Sequence, residues 1–319
     1  MGVPNARKAA VLDELRNRFG AISKIGNGTS LFSIAGDTAR VYFRFSKLHG
    51  RGAGFFGLRE IDLRVLEGHN SYICFLTDDN APPVFLPFAD FEEIFCQATP
   101  ATDGQYKVQL ISRGGQLDLY VARQGRFNVE GYVGFEVLER SVQAGTSKAD
   151  GALSHWDIQT LLAGIGHLKG FDVCVPSADR ARFRWALTKP FKLMDGIPSG
   201  FESVRPILSE IDVIWVAEGR NRVEALFEVE HTTTIYSGLL RLNDILLTEP
   251  GVSRFCIVAD ECRRSVFARQ VFRPTFRKSG LSELTSFLEY ANVVDWHSRL
   301  AKGTSPKAGR GAPRQPEVP

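Results

Sequence analysis

Two stretches decide the fold: Ile211-Asp212-Val213-Ile214-Trp215-Val216 and Glu224-Ala225-Leu226-Phe227-Glu228-Val229-Glu230. Both are apolar runs of strand composition, and each carries acid. Side chains alternate along a strand, so Glu224, Leu226, Glu228 and Glu230 face one way while Val223, Ala225, Phe227 and Val229 face the other. Glu228 and Glu230 then sit about 7 Å apart on one face. Asp212 lies on the preceding strand, between Ile211 and Val213. A buried, unpaired acid in so apolar a strand is costly. Three converging acids repel one another unless a cation neutralises them. Carboxylates suit hard cations, so the pattern predicts a site for Mg2+ or Mn2+ and metal-assisted cleavage of a phosphodiester. The competing reading is the solvated face of an amphipathic edge strand. Glu224 is assigned to that reading, and for Glu228 and Glu230 both stand.

The surrounding elements have a definite order. Ser154 to Lys169 reads as a helix, with Ile158, Leu161, Leu162, Ile165 and Leu168 in one stripe. Ser154 and Asp157 form a capping pair, and Gly170 closes the helix. Strands follow at Phe171–Val175, Glu210–Val216 and Val223–His231, then a helix over Ile235–Leu247 and a strand over Arg254–Ala259. A later helix is expected over Ser282–Tyr290. The order is α-β-β-β-α-β.

Asp212, Glu228 sixteen residues on, and Glu230 after one intervening residue, set in that order, resemble the PD-(D/E)xK nuclease superfamily of restriction and repair enzymes. The resemblance covers roughly residues 154–260. It extends into Glu230-His231-Thr232-Thr233-Thr234-Ile235-Tyr236-Ser237-Gly238-Leu239-Leu240-Arg241, which is similar to the stretch after the catalytic strand in restriction-like bacterial proteins. It implies an α/β class, with a C-terminal restriction-endonuclease-like αβββαβ core. Asp212 and Glu228 would be the metal-binding acids, with the Val229 carbonyl as a further ligand. Glu230 stands where most members have lysine, in an E-x-E variant. Water activation then falls to the metal, to Glu230 or to both. Some members place a polar residue on the first core helix, which makes Gln159 an accessory candidate.

Other residues carry two readings each. Arg241, with Ser237 and Asp244 on one helix face, contacts the scissile phosphate or holds a catalytic carboxylate, or else merely pairs with Asp244. His231 assists proton transfer or is simply packed. Thr233 or Thr234 is the expected helix cap. Arg180, Arg182, Arg184, Lys189 and Lys192 are interleaved with Phe183, Trp185 and Phe191. Arg263, Arg264, Arg269, Arg273, Arg277 and Lys278 run on with no acid between them. Such clusters suit a phosphate backbone, or are solvated faces.

The N-terminal half is read as an α+β, strand-rich domain. It opens with a helix over Asn5–Phe19, followed by strands at Ser30–Ile34, Ala39–Phe45, Ser71–Leu76, Val84–Pro87, Lys107–Ser112 and Leu117–Arg123. Helices are expected over Leu58–Glu67 and Ala89–Cys96. Arg40, Arg44, Lys47, His49, Arg51 and Arg59 surround a Gly-rich loop at 50–54, which is either a DNA-reading loop or a structural turn. No phosphate-binding Gly-rich motif ending in Lys-Ser or Lys-Thr occurs, so no nucleotide cofactor is expected.

Residues 1–150 carry 17 basic and 17 acidic side chains, and residues 151–300 carry 18 of each, so any contact with nucleic acid must come from local patches. The turn-forming stretch 143–152 marks the boundary between a domain at 1–147, with a possible target-recognition role, and a nuclease domain at 148–300. Residues 301–319 are expected to form a disordered basic tail. No apolar run is long enough to span a membrane and no signal peptide is evident. Five cysteines without a C-x-x-C suggest a reducing, cytoplasmic setting. The expectation is a cytoplasmic, metal-dependent endonuclease acting on DNA, homodimeric if it cuts both strands. Its competitor is a non-catalytic nucleic-acid-binding protein on a degenerate nuclease fold.

Overall fold

The computed structural model describes residues 6–26, 28–49, 52–144, 153–217, 219, 222–231, 234–252 and 254–303. The chain is mixed α/β and divides into two compact units, which separate between residues 147 and 148.

The first unit contains α1 (Ala6–Phe19), β1 (Ile22–Lys24), β2 (Leu31–Ile34), β3 (Ala39–Ser46), β4 (Leu48–His49), β5 (Ala53–Arg59) and α2 (Glu60–Leu66). It continues with β6 (Ser71–Thr77), β7 (Val84–Pro87), α3 (Phe88–Gln97), β8 (Gln105–Arg113), β9 (Gln116–Val121), β10 (Gly125–Asn128) and α4 (Glu136–Ala144). Two five-stranded sheets result, in the orders β1-β2-β3-β6-β7 and β10-β9-β8-β5-β4. One face of the first sheet packs on α1 and α4, through Val11, Leu15, Val41, Cys74 and Leu138. A second core joins Tyr42 and Phe75 of this sheet to Phe56, Leu110 and Leu119 of the other, with Phe91 of α3. The helix expected over Leu58–Glu67 begins later, because Leu58 belongs to β5 and is buried in that second core. The expected Gly-rich loop is in part this same strand: Gly54 pairs with Leu110. Residues 50 and 51, including Arg51, lie outside the described residues.

The second unit contains α5 (His155–Leu168), β11 (Phe171–Cys174), α6 (Arg205–Leu208), β12 (Val213–Ala217), β13 (Arg222–Val229), α7 (Ile235–Thr248) and β14 (Phe255–Ala259). After these come α8 (Arg264–Val271), α9 (Pro274–Ser279), α10 (Leu281–Leu284), β15 (Thr285–Glu289) and α11 (Tyr290–Lys302). Its sheet has the order β11-β12-β13-β14-β15. The β11–β12 and β12–β13 pairs are antiparallel, and β13–β14 and β14–β15 are parallel. Parallel strands need cover on both faces. Here α5 and α11 cover one face through Ile158, Ile165, Val293 and Trp296. Leu239, Leu242, Phe267 and Phe276 of α7, α8 and α9 cover the other.

One expectation is corrected here. Residues 282–290 are not a helix: only the short α10 precedes β15, which runs beside β14 with Ile257 opposite Phe287. The run Thr285-Ser286-Phe287-Leu288 is strand-like in composition, and its place on the parallel edge decides its conformation. The basic tail beyond residue 303 and most of the proposed boundary, residues 145–152, lie outside the described residues. No described helix is long and apolar enough to cross a membrane.

Candidate active site

β13 is not an edge strand, since β12 and β14 flank it. The solvated-face reading of its glutamates is thereby overturned: Glu224 is 7% exposed, and Glu228 and Glu230 are 1% each. Glu224 does not share a site with the other two. The β12–β13 register shifts between Trp215 and Val216, and Glu224 pairs with Arg222 at that end of the strand.

Asp212 sits in a bend just before β12 and not within a strand, which corrects its expected setting. The antiparallel register places Val213 opposite Phe227, so Asp212 arrives beside the end of β13. Its Oδ2 accepts a hydrogen bond from the Val229 amide at 2.7 Å. Its Oδ1 lies 3.3 Å from His155 Nε2. His155 is the first residue of α5, a helix fixed by the reciprocal Ser154–Asp157 capping box. Burial pulls the His155 pKa down. The hydrogen bond to Asp212, the charges of Asp212 and Asp179, and a bond to the Val229 main chain outweigh it, so the net shift is upward.

Glu228 meets Arg241 of α7 as a fork: Nε to Oε1 at 2.7 Å and Nη2 to Oε2 at 2.8 Å. Arg241 therefore holds a carboxylate and is not given over to Asp244, which corrects that alternative. A two-point bond in which both oxygens accept favours the ionised form, but burial outweighs it. Burial pushes the Glu228 pKa up to about 8. The hydrogen bond from Arg241 opposes the rise, and the charges of Asp212 and Glu230 add to it. Three carboxylates thus feel one another at one end of the sheet. Gly238 lets α7 approach them, since a Cβ there would fall 2.6 Å from Glu230 Oε1 and 3.4 Å from Glu228 Cβ.

The accessory candidates have definite places. Gln159 is fully buried, and its Nε2 donates to Asp179 Oδ2 at 3.0 Å and to the Asp212 carbonyl at 2.9 Å. It holds the bend that carries Asp212. His231 is exposed at the rim, stacked on Tyr290, with Nδ1 3.4 Å from the Tyr290 hydroxyl. Thr234 is the α7 N-cap, although its side chain meets Ser237 Oγ at 2.6 Å instead of a helix amide. Thr233 lies outside the described residues.

The basic clusters separate into structural and exposed members. Arg180 donates to the Met194 carbonyl, Arg263 to the Glu230 carbonyl, and Arg264 pairs with Glu289. Arg182, Arg184, Lys189, Arg269 and Arg273 are exposed. Arg182 lies over the Trp156 ring at 4.6 Å, and Arg184 is 3.5 Å from Asp157. In the first unit, Arg40 is buried and donates to the Val65 carbonyl, while Arg59 forks onto Asp62. Neither belongs to a free basic loop.

The fit of this site to a divalent cation was an explicit expectation. As arranged, both Glu228 oxygens are taken by Arg241, and the Asp212 oxygens by Val229 and His155. Among the described residues, no group of three or more His, Cys, Asp and Glu side chains is disposed to hold a metal ion. The carboxylates converge, but they do not fit an ion in this arrangement.

His155, Asp179 and Gly238 were not singled out by the sequence reading. A histidine directly after a capping serine, at the start of a helix with a long apolar run, was the available signal for the first. A glycine inside a helix, costing about 1 kcal/mol against alanine, was the signal for the last.

Residues 136–303 match the family model of the type II restriction enzyme NmeDI C-terminal domain. The type II restriction enzyme NmeDI of Neisseria meningitidis serogroup C is 31% identical over 156 residues, which is 45% of this chain and 42% of that protein. The chain therefore spans less than half the length of that curated relative. No solved structure matches.

Proposed function

Because the chain belongs to the family of the type II restriction enzyme NmeDI C-terminal domain, we propose that it is a restriction-like endonuclease that hydrolyses phosphodiester bonds of DNA. The observation that carries the reading is the meeting of Asp212, Glu228 and Glu230 at one end of the β12–β13 pair, inside the matched segment. A buried acid whose proton affinity is raised further by neighbouring acids, as at Glu228, is costly to keep in a purely structural role, and such groups concentrate at functional sites. We assign them to a PD-(D/E)xK-like site in its E-x-E form. Glu230 takes the lysine position and accepts the proton of the attacking water. Gln159 and His155 hold Asp212 in place. Arg182, Arg184, Lys189, Arg269 and Arg273 receive the DNA backbone. Residues 1–147 act in target selection, and two copies of the chain are needed to cut both strands.

Cleavage is expected to need Mg2+ or Mn2+. The test uses supercoiled plasmid with either ion, with and without chelator. Wild type should nick or linearise it, and Asp212→Asn and Glu228→Gln should each lower the rate at least about a hundredfold. Plasmid bound but never cut, under any ion, would instead mark a non-catalytic nucleic-acid-binding protein on a nuclease fold.

A further inference from the structure

The first turn of α5 holds two exposed arginines, and it holds them in different ways. Arg184 Nη1 lies 3.5 Å from Asp157 Oδ1, whereas the Arg182 guanidinium lies over the Trp156 ring at 4.6 Å. Both holders belong to a helix start that the Ser154–Asp157 capping box fixes. The arginine segment is itself tied down: the Arg184 amide donates to Thr160 Oγ1 at 3.0 Å, and Phe183 between the two arginines is buried in the core beneath α5. Among the described residues, Arg182 has no ion pair with an acid. Asp179, the acid nearest to it in the chain, is engaged by Gln159 at 3.0 Å.

We propose that Trp156 is a positioning residue for DNA, which holds Arg182 at full charge for a backbone phosphate beside the acids. The inference rests on the reading of DNA as the substrate, and it needs nothing bound at the acids. A carboxylate that holds an arginine also cancels its charge and sets a negative group where a phosphate must lie. An indole attracts the cation through its ring face and adds no charge of its own. The guanidinium is planar with its donors around the edge, so lying over a ring leaves those donors for a forked contact with phosphate. Without the ring, Arg182 would give up its rotamer freedom only when DNA arrives, and binding would bear that cost. The placement beside the acids follows from His155. Its ring meets Trp156 edge-on with centroids 4.7 Å apart, and its Nε2 is 3.3 Å from Asp212 Oδ1. Trp156 is half-buried and is not a member of the apolar core that α5 shares with the sheet, so replacing it does not hollow that core.

The experiment uses the whole chain and a fluorescent DNA duplex, with chelator throughout, and reads anisotropy over a salt series. Trp156→Leu should weaken binding about two- to fivefold and leave the salt slope unchanged, since Arg182 still reaches the phosphate. Trp156→Phe, which keeps a ring face, should lie closer to wild type. With Arg182→Ala already present, Trp156→Leu should add nothing, which a merely structural role for the ring would not give. Trp156→Gln supplies the same comparison if the leucine variant does not fold. If the loss is the same with and without Arg182, if Trp156→Phe is no better than Trp156→Leu, or if Trp156→Leu or Arg182→Ala binds as wild type does, the holding role is wrong and the DNA reading stands. If wild type binds no duplex even at low salt, the DNA reading fails and the holding role fails with it.

Discussion

At the scale of single residues, the Glu228–Arg241 pair is the most consequential contact of the second unit. Removing one partner of a buried pair costs about 3–5 kcal/mol, whereas removing both is often close to neutral. Glu228 has its pKa raised to about 8 by burial, so it can take up a proton when its partner is lost, and that limits the penalty. Arg241→Met should therefore destabilise the second unit by about 2–4 kcal/mol near neutral pH, and the Arg241→Met/Glu228→Gln double variant should recover most of it. Urea titrations of the three proteins measure this directly; a double variant no better than the single would show that the pair is not the source of the loss. The site was legible in part. The alternation of Glu228 and Glu230, and Asp212 upstream, could be read because strand periodicity fixes which side chains share a face. The ring of partners could not. His155 lies 57 positions before Asp212, and nothing local to either residue says that α5 starts where β12 does.

Elements show the same division between local and distant information. The capping box at Ser154, the apolar stripe of α5 and the run of β13 are local patterns, and they appear where they were expected, except that Leu168 at the end of the stripe is exposed. Residues 282–290 were misread because short apolar runs carry no reliable period, and the parallel pairing that settles them comes from β14. Close packing of α5 depends on Gly164 and Gly166. A Cβ on Gly166 would lie 2.5 Å from Trp215 Nε1, whose N–H bonds the Leu162 carbonyl at 3.1 Å. Gly166→Ala should destabilise the second unit by about 1–3 kcal/mol through overpacking. The loss would be read by urea denaturation, and DNA binding of the folded protein should persist. On the other side of α5, His297 of α11 is buried with Nε2 3.0 Å from Thr188 Oγ1. Burial lowers its pKa below the ordinary imidazole value. The unfolded chain therefore takes the proton first as pH falls. Stability is full above about pH 6.5 and declines as pH drops through that value, until the folded imidazole is protonated too. Melting temperatures from about pH 8 to about pH 5 should fall less steeply for His297→Gln than for wild type.

Across the whole molecule, charge is balanced between the halves, so the proposed DNA substrate would have to be held by patches and not by a general field. Each phosphate contact contributes about one unit to the slope of log affinity against log salt concentration. Arg182→Ala and Arg269→Ala should each lower that slope by about one and weaken binding alike on different sequences; fluorescence anisotropy over a salt series decides it, and an unchanged slope would remove that residue from the DNA-binding face. The two-unit division offers a different kind of handle. Trp215 and Trp296 are fully buried with ring centroids 5.7 Å apart, and all four tryptophans fall between positions 156 and 296. Five of the seven tyrosines fall before position 147. Indole emission is thus a built-in optical beacon for one half of the polypeptide, and its melting curve can be overlaid on far-ultraviolet dichroism, which sees both halves, to learn without any attached dye whether they come apart in one step or two.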